Sequence, residues 1–333
     1  MADARKSHSG EERLIELFRP IATNPGALAL LDDAAVVAPP PDSDVVLKTD
    51  AIVAGVHFFY DDPADAVAKK ALRVNLSDLA AKGAELLGFL LTLVLPADTD
   101  EKWITDFARG LKEDAEKFGC PLYGGDTDRT PGPITISIAA FGHVPRGKMV
   151  RRAGAKPGDL LIVTGTIGDA ALGLMLRREP NNAAFARLDP AARSHLADRY
   201  LLPRPRNAIA VAIREHASAS IDVSDGLAGD LTKLAAVSGV AARLDAKLVP
   251  LSDGARAALE ADPELIEQIL SGGDDYEIAA TVPESRLGAL QAAASAAGIG
   301  LTTIGRIEQG EGIVIRGLDG KPITLRRGSF SHF

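Results

Sequence analysis

The sequence predicts a two-domain chain of mixed α/β (α+β) character, and three observations carry that expectation. The chain has 333 residues, long for a single hydrophobic core. Its hydrophobic content of 46% and charged content of 25% are those of a folded globular protein. Apolar runs of strand type alternate with helical spacing of Ala, Val and Leu along the whole length.

Taken in order, VVLKTD (45–50) is a β-branched run ending at a carboxylate. DPADAVAKKALRVNLSDLAAKGAE (62–85) has helical spacing, opened by Asp62 and Pro63 as cap and first-turn proline. An apolar strand follows at 86–95, then a helix around 99–118 and a strand leading into YGGD. ITISIAAFGHV (134–144) alternates every second residue, as a strand does when one face is exposed or shared with a partner. RRAGAKPGD (151–159) is a Gly, Pro and basic turn cluster ahead of the strand LLIVTG. It places the boundary near 150, dividing 1–150 from 151–333. The second half reads as helices at 168–178, 204–216, 226–238, 253–270 and 284–297. Short strands lie at 241–245, 277–282, 300–306 and 312–316.

The formal net charge of -8 argues against bulk nucleic-acid binding and suits a protein that gathers carboxylates to hold cations. A lone cysteine, Cys120, excludes a disulfide framework and points to the cytoplasm. The opening MADARKSHSGEER lacks an apolar core and does not read as a secretory signal. The longest apolar run, LLGFLLTLVLP (86–96), is too short to span a bilayer. No G-x-x-x-x-G-K-[ST] loop is present, and GTIGDAALG (165–173) lacks dinucleotide spacing. The histidines do not cluster as zinc ligands.

What remains is aspartate at strand ends and in turns: Asp33, Asp50, Asp78, Asp126, Asp222 and Asp225. Carboxylates suit hard cations, Mg²⁺ above all when phosphates share the shell. Asn75 and Asp78 are three apart on a helix and share a face. Glycines before Asp126 in YGGDTDRT and before Asp274 in SGGDDYE let backbone N–H groups approach a phosphate oxygen. Lys48 and Arg152 are candidate phosphate contacts. Each such Asp, taken alone, is ordinarily an Asx-turn or a helix cap, and spacing does not show that they gather.

The motifs LLDDAAV, LKTDAIVAGVHF, KKALRVNLSDLAAKGAE, YGGDTDRT, RRAGAKPGDLLIVTGTIGDAALGL, LPRPR, IDVSDGLAGDL, SGGDDYEI and GSFSHF occur in this order over nearly the whole chain. In this the sequence resembles the thiamine-monophosphate kinases of the aminoimidazole ribonucleotide synthetase superfamily. The resemblance implies ATP-dependent phosphorylation of thiamine monophosphate to thiamine diphosphate, by direct in-line transfer assisted by several Mg²⁺ ions and without a protein nucleophile. It implies metal ligands at Asp33, Thr49, Asp50, Asp78, Asp126, Asp222 and Asp225. ATP contacts fall at Gly125, Asp126, Arg152 and Ser224, and substrate contacts at His57, Asp274 and Phe330. Residues 1–150 would form a metal- and ATP-binding domain that dimerises through its mixed sheet, and 151–333 an α/β domain completing the active site. A cytoplasmic homodimer without nucleic-acid or membrane partners is the expectation. Another synthetase of the superfamily, or a non-catalytic sensor of thiamine phosphate or nucleotide, is the alternative.

Four positions depart from the family pattern. Ala29-Leu30-Leu31 stands for the usual Gly-Ile-Gly, so that turn must reach its geometry without glycine. Lys48 stands where Ser is common, Asp274 where Glu is usual, and Phe330 where Tyr or Trp is frequent.

Overall fold

The computed structural model of the chain describes residues 10–325. They form two compact units, residues 10–75 with 86–143 and residues 76–85 with 144–325. Both mix helices and sheet, as the apolar periodicities predict.

The first unit contains α1 (Gly10–Phe18), β1 (Ser43–Val53), most of α2 (Ala64–Ala81), β2 (Glu85–Pro96), α3 (Glu101–Phe118), β3 (Leu122–Thr130) and β4 (Thr135–Pro145). Its four strands are ordered β1-β4-β2-β3. β2 and β3 are parallel, so α3 is the crossover of a βαβ unit. Asp100 caps α3 by accepting from the Lys102 amide at 3.0 Å, and Gly119 ends it at φ 62. The apolar stripe Ile104, Phe107, Leu111 and Ala115 is buried. Asp114 on the same helix takes Arg73 of α2 in a buried bidentate pair, with Nη2 to Oδ1 at 2.8 Å. β4 buries alternate residues, as its sequence indicates.

The last turn of α2 counts with the second unit for a packing reason. Ala80 and Ala81 are fully buried in one apolar cluster with Val150, Ile162, Ile209 and Ile213, and the Val150 amide donates to Lys82 O.

The second unit continues with β5 (Leu160–Thr164), α4 (Asp169–Arg178), α5 (Pro190–Leu201), α6 (Ala210–His216) and β6 (Ala219–Asp222). Then come α7 (Leu227–Ser238), β7 (Ala241–Asp245), α8 (Asp253–Ala261), α9 (Leu265–Ser271), β8 (Ile278–Val282), α10 (Glu284–Ala296), β9 (Leu301–Glu308), β10 (Gly312–Arg316) and β11 (Pro322–Ile323). Seven strands are ordered β11-β10-β7-β9-β5-β8-β6, with β10 parallel to β7 and antiparallel pairs elsewhere. The middle of the sheet is covered on both faces. On β5, Leu161 and Val163 join the core beneath α4 and α7, while Ile162 joins the core with α6 and α10.

Two local differences from the sequence reading have visible causes. The helix expected over 253–270 is two, α8 and α9, because Asp262-Pro263 interrupts it. Helix α5 was not expected. It is capped by Asp189, whose Oδ1 accepts from the Ala192 amide, but only Leu196, Arg199 and Tyr200 are buried on it, which leaves little apolar period to read. Among the described residues, no helix is long and apolar enough to cross a membrane.

Candidate active site

In the first unit, the LDD turn and the YGGD strand line one cavity of about 590 Å³. Asp32, Asp33, Gly125, Asp126 and Thr127 supply its polar wall, and Phe18, Leu91, Tyr123 and Phe141 its apolar floor. Asp33 and Asp126 are exposed. Gly125 is required where it stands: a Cβ there would lie 1.8 Å from Leu91 O on the paired strand. At Gly124 a Cβ would meet only Leu90 Cδ2 at 3.6 Å. The turn before Asp32 reaches its shape without glycine, through Leu28, Ala29 and Leu30 at φ 50, 55 and 55. Three successive non-glycine residues in the left-handed region are costly, about 1–2 kcal/mol each. A larger cavity of about 840 Å³ in this unit has Lys112 and Glu116 as its charged lining and holds no expected site residue.

Asp50 and Thr49 lie on β1, at the opposite edge of the sheet from Asp126 on β3. Two strands intervene, so the edges are roughly 14 Å apart at the usual strand spacing, too far for one ion to touch both within this sheet. Lys48 Nζ sits 3.1 Å from Asp50 Oδ1. The chain after β1 folds back at once, with a bridge from Ala54 to Phe58. There the Val53 amide donates to His57 Nδ1 at 3.0 Å, and Lys70 donates to His57 O at 3.0 Å. Because Nδ1 accepts, the neutral ring carries its proton on Nε2. On α2, Asn75 is fully buried; its Nδ2 donates to Ala71 O at 3.0 Å, and its Oδ1 has no hydrogen-bond partner. Asp78 follows one turn later and is half-buried.

In the second unit, two turns are knitted together. Asp222 ends β6 and is buried, while Ser224 and Asp225 follow half-exposed. The Ser224 and Asp225 amides donate to Asp230 Oδ2 at 3.0 and 2.9 Å. Lys233 donates to Asp230 Oδ1 at 2.8 Å and to Asp225 Oδ2. Burial raises the Asp230 carboxyl, with the Lys233 hydrogen bond and charge opposing. Burial also pulls the Lys233 ammonium down, but the two carboxylates outweigh it and its pKa is raised. The SGGDDYE turn joins this one through Asp274 N to Ser224 O and Tyr276 N to Val223 O, both 2.8 Å. Arg152 is exposed in its basic turn, and Phe330 lies outside the described residues.

Sequence reasoning missed Asp275 and Glu277, both fully buried. Asp275 accepts from the Gly168 amide at 3.0 and 2.9 Å and from the Ala170 amide at 3.4 Å, at the start of α4. Burial pushes its carboxyl well above the usual range, against the Gly168 hydrogen bond and the Arg199 charge. Glu277 accepts from Thr164 Oγ1 at 2.7 Å, Arg199 Nη2 at 3.0 Å and Arg206 Nε at 2.6 Å. The available signal was LPRPR, which contains Arg206.

Among the described residues, no three His, Cys, Asp or Glu side chains converge so as to enclose a bare ion. That does not conflict with Mg²⁺, which is typically held by one or two carboxylates together with substrate phosphates and water. The donor chemistry fits such an ion: carboxylates at Asp33 and Asp126 face one cavity beside a glycine that admits no Cβ, and Asn75 Oδ1 is an orphaned carbonyl oxygen one turn from Asp78.

Both halves of the chain are similar to known proteins. The AIR synthase related protein N-terminal domain matches residues 31–144, and the corresponding C-terminal domain matches residues 156–317. A thiamine-monophosphate kinase of Caulobacter vibrioides is 44% identical over 320 residues, covering 94% of this chain and 89% of that protein. The crystal structure of the thiamine-monophosphate kinase from Stenotrophomonas maltophilia superposes with a TM-score of 0.83 at 37% identity, covering 93% and 97% of the two chains. AaThiL complexed with AMPPCP and TMP superposes with a TM-score of 0.77 at 33% identity, covering 91% of each chain. Similarity of this depth across both halves shows that the chain belongs to the thiamine-monophosphate kinases, within the AIR synthase related proteins.

Proposed function

We propose that the chain transfers the γ-phosphoryl group of ATP directly to thiamine monophosphate, giving thiamine diphosphate. The observation that carries this reading is its likeness, over almost its full length, to thiamine-monophosphate kinases, one of them solved with AMPPCP and TMP.

The acceptor is a phosphate monoester with a second pKa near ~6, largely dianionic at neutral pH, so it needs little help from a general base. The barrier is the repulsion of two anionic phosphates, and catalysis is mostly positioning and charge. Mg²⁺, when bound, would supply the positive charge that offsets this repulsion. Asp33, Thr49, Asp50, Asp78, Asp126, Asp222 and Asp225 would hold several such ions between them, no single ion reaching both Asp50 and Asp126 within the first sheet. Gly125 and Asp126 present backbone and carboxylate to ATP without a Cβ in the way, Ser224 offers a hydroxyl, and Arg152 a bidentate fork. His57 and Asp274 receive the thiamine phosphate, together with Phe330. In this reading the dianionic acceptor phosphate is itself the nucleophile, so the γ-phosphoryl passes to it in line, ADP leaves, and no phospho-enzyme forms.

Residues 1–150 form the ATP- and metal-binding domain in this proposal, and 151–333 the domain that completes the site. A homodimer through the first sheet, in the cytoplasm, belongs to the same reading; Val45, Leu47 and Leu90 are exposed on its strands and favour it. Light scattering at micromolar concentration tests the dimer.

The activity is tested by incubating the protein with ATP, Mg²⁺ and thiamine monophosphate and following phosphorus NMR. Diphosphate signals of thiamine diphosphate that require both protein and Mg²⁺ support the proposal. Binding of both ligands without product would favour a sensor, and no binding of thiamine monophosphate would return the chain to the other substrates of the superfamily.

A further inference from the structure

Between Gly273 and Ile278 the chain alternates in two ways at once. Asp274 and Tyr276 are half-buried and adopt φ 70 and 50, whereas Asp275 and Glu277 are fully buried. Left-handed backbone at two non-glycine residues persists only where the surroundings over-determine it. Here the surroundings do. The Asp275 carboxylate is held by the Gly168 and Ala170 amides, and its carbonyl accepts from Arg199 Nη2 at 3.0 Å. The Glu277 carboxylate is held by Thr164, Arg199 and Arg206. The turn is therefore pinned on its inner side at every second residue, and the other two side chains are presented together. Tyr276 OH donates to Asp274 Oδ1 at 3.2 Å.

We propose that Tyr276 is a substrate-positioning residue: its hydroxyl orients the Asp274 carboxylate, and its ring stands beside that carboxylate as a second wall for a flat organic cation such as a thiazolium. This deepens the function proposed above and rests on its assignment of Asp274 to the substrate. A carboxylate and an aromatic face side by side are the two groups that recognise such a cation, by charge and by the ring quadrupole. The tie also suits this chain's own chemistry. An aspartate has one methylene fewer than glutamate, and a short carboxylate that is held still loses less entropy on binding than one that must be ordered.

The test is calorimetric binding of thiamine monophosphate and, separately, of a non-hydrolysable ATP analogue, with steady-state rates on the same samples. The proteins are wild type, Tyr276→Phe, Tyr276→Ala, Asp274→Asn and the Tyr276→Phe/Asp274→Asn double variant. Tyr276→Phe keeps the ring and removes one hydrogen bond to a charged group, so thiamine phosphate should bind about 3- to 10-fold more weakly. Binding of the ATP analogue and the melting temperature should not change. Tyr276→Ala should weaken thiamine phosphate further, by roughly another 3-fold or more as the ring is lost. In the Asp274→Asn background the Tyr276→Phe change should have a smaller effect, because the two residues act as a unit. Wild-type affinity in Tyr276→Phe, or equal losses for both ligands, would overturn the proposal. A wild-type protein that binds no thiamine monophosphate would instead overturn the assignment of Asp274, and with it the functional reading.

Discussion

Replacing Ala29 with glycine should stabilise the first unit, against the general rule that glycine weakens a chain. Ala29 sits at φ 55, in the middle of the left-handed run that leads into Asp32 and Asp33, and it is exposed. An L-residue in that region costs about 1–2 kcal/mol, which glycine relieves. Glycine's extra freedom in the unfolded chain costs about 0.5–1 kcal/mol in return. No buried area is lost, so the net gain is about 0.5–1 kcal/mol by difference. Leu31 is the control: it is 76% exposed at φ -107, an ordinary conformation, so Leu31→Gly should lose about 0.5–1 kcal/mol. The chain's single tryptophan, Trp103, stacks on Phe107 at 5.2 Å in the same unit. Its fluorescence through a urea titration therefore reports the right transition. Opposite shifts for the two variants support the reasoning. A loss at Ala29 as large as at Leu31 would refute it.

The cavity wall gives a second contrast. Gly124→Ala should cost under about 1 kcal/mol, and Gly125→Ala about 3 kcal/mol with loss of ATP binding, since only the latter Cβ strikes backbone; urea melts and nucleotide titration decide. Asp126→Asn should lower turnover on the order of 10²-fold with the fold intact; wild-type rates would remove Asp126 from the site. Glu277→Ala strands two arginines, one of them 2% exposed, and should destabilise by about 3–5 kcal/mol, as measured by denaturation. Cys120 is buried and its thiol is pushed up to about 12 by desolvation. Its contribution to stability is thus complete below the ordinary thiol range near 9 and lost as pH rises through about 12. A thiol reagent at pH 8 should label it only on unfolding, and rapid labelling of the native protein would contradict its burial.

Much of this molecule could be read before it was seen, and the rest was hidden for definable reasons. Strands such as 134–144 and helices such as 101–118 announce themselves because burial has a period, and period is written in the sequence. The turns at Asp33 and Asp274 could be found because aspartate, in the second case after two glycines, marks tight geometry, whereas Asp126 and Asp222 lie within β3 and at the end of β6. Their company could not. Asp274 and Asp275 are adjacent and identical in type, yet one reaches the surface and the other is sealed in the core. What separates them is a helix start and one arginine, Arg199, that approach Asp275 from far along the chain. Helix α5 was missed although its aspartate cap and first-turn proline were present, because its buried positions include an arginine. A charged residue does not look like core until its partner is known.

Asp275 has one more consequence. The amide of Gly168 at the head of α4 donates to a carboxyl group, at the position where many nucleotide folds grip phosphate. In this chain the acceptor is its own, the buried side chain of Asp275 at 3.0 and 2.9 Å. Anyone hunting for a phosphate cradle by shape alone would be drawn to this glycine turn and find it plugged from within. Free phosphate, sulfate or nucleotide therefore has no vacancy to compete for at that helix, and the turn is a decoy.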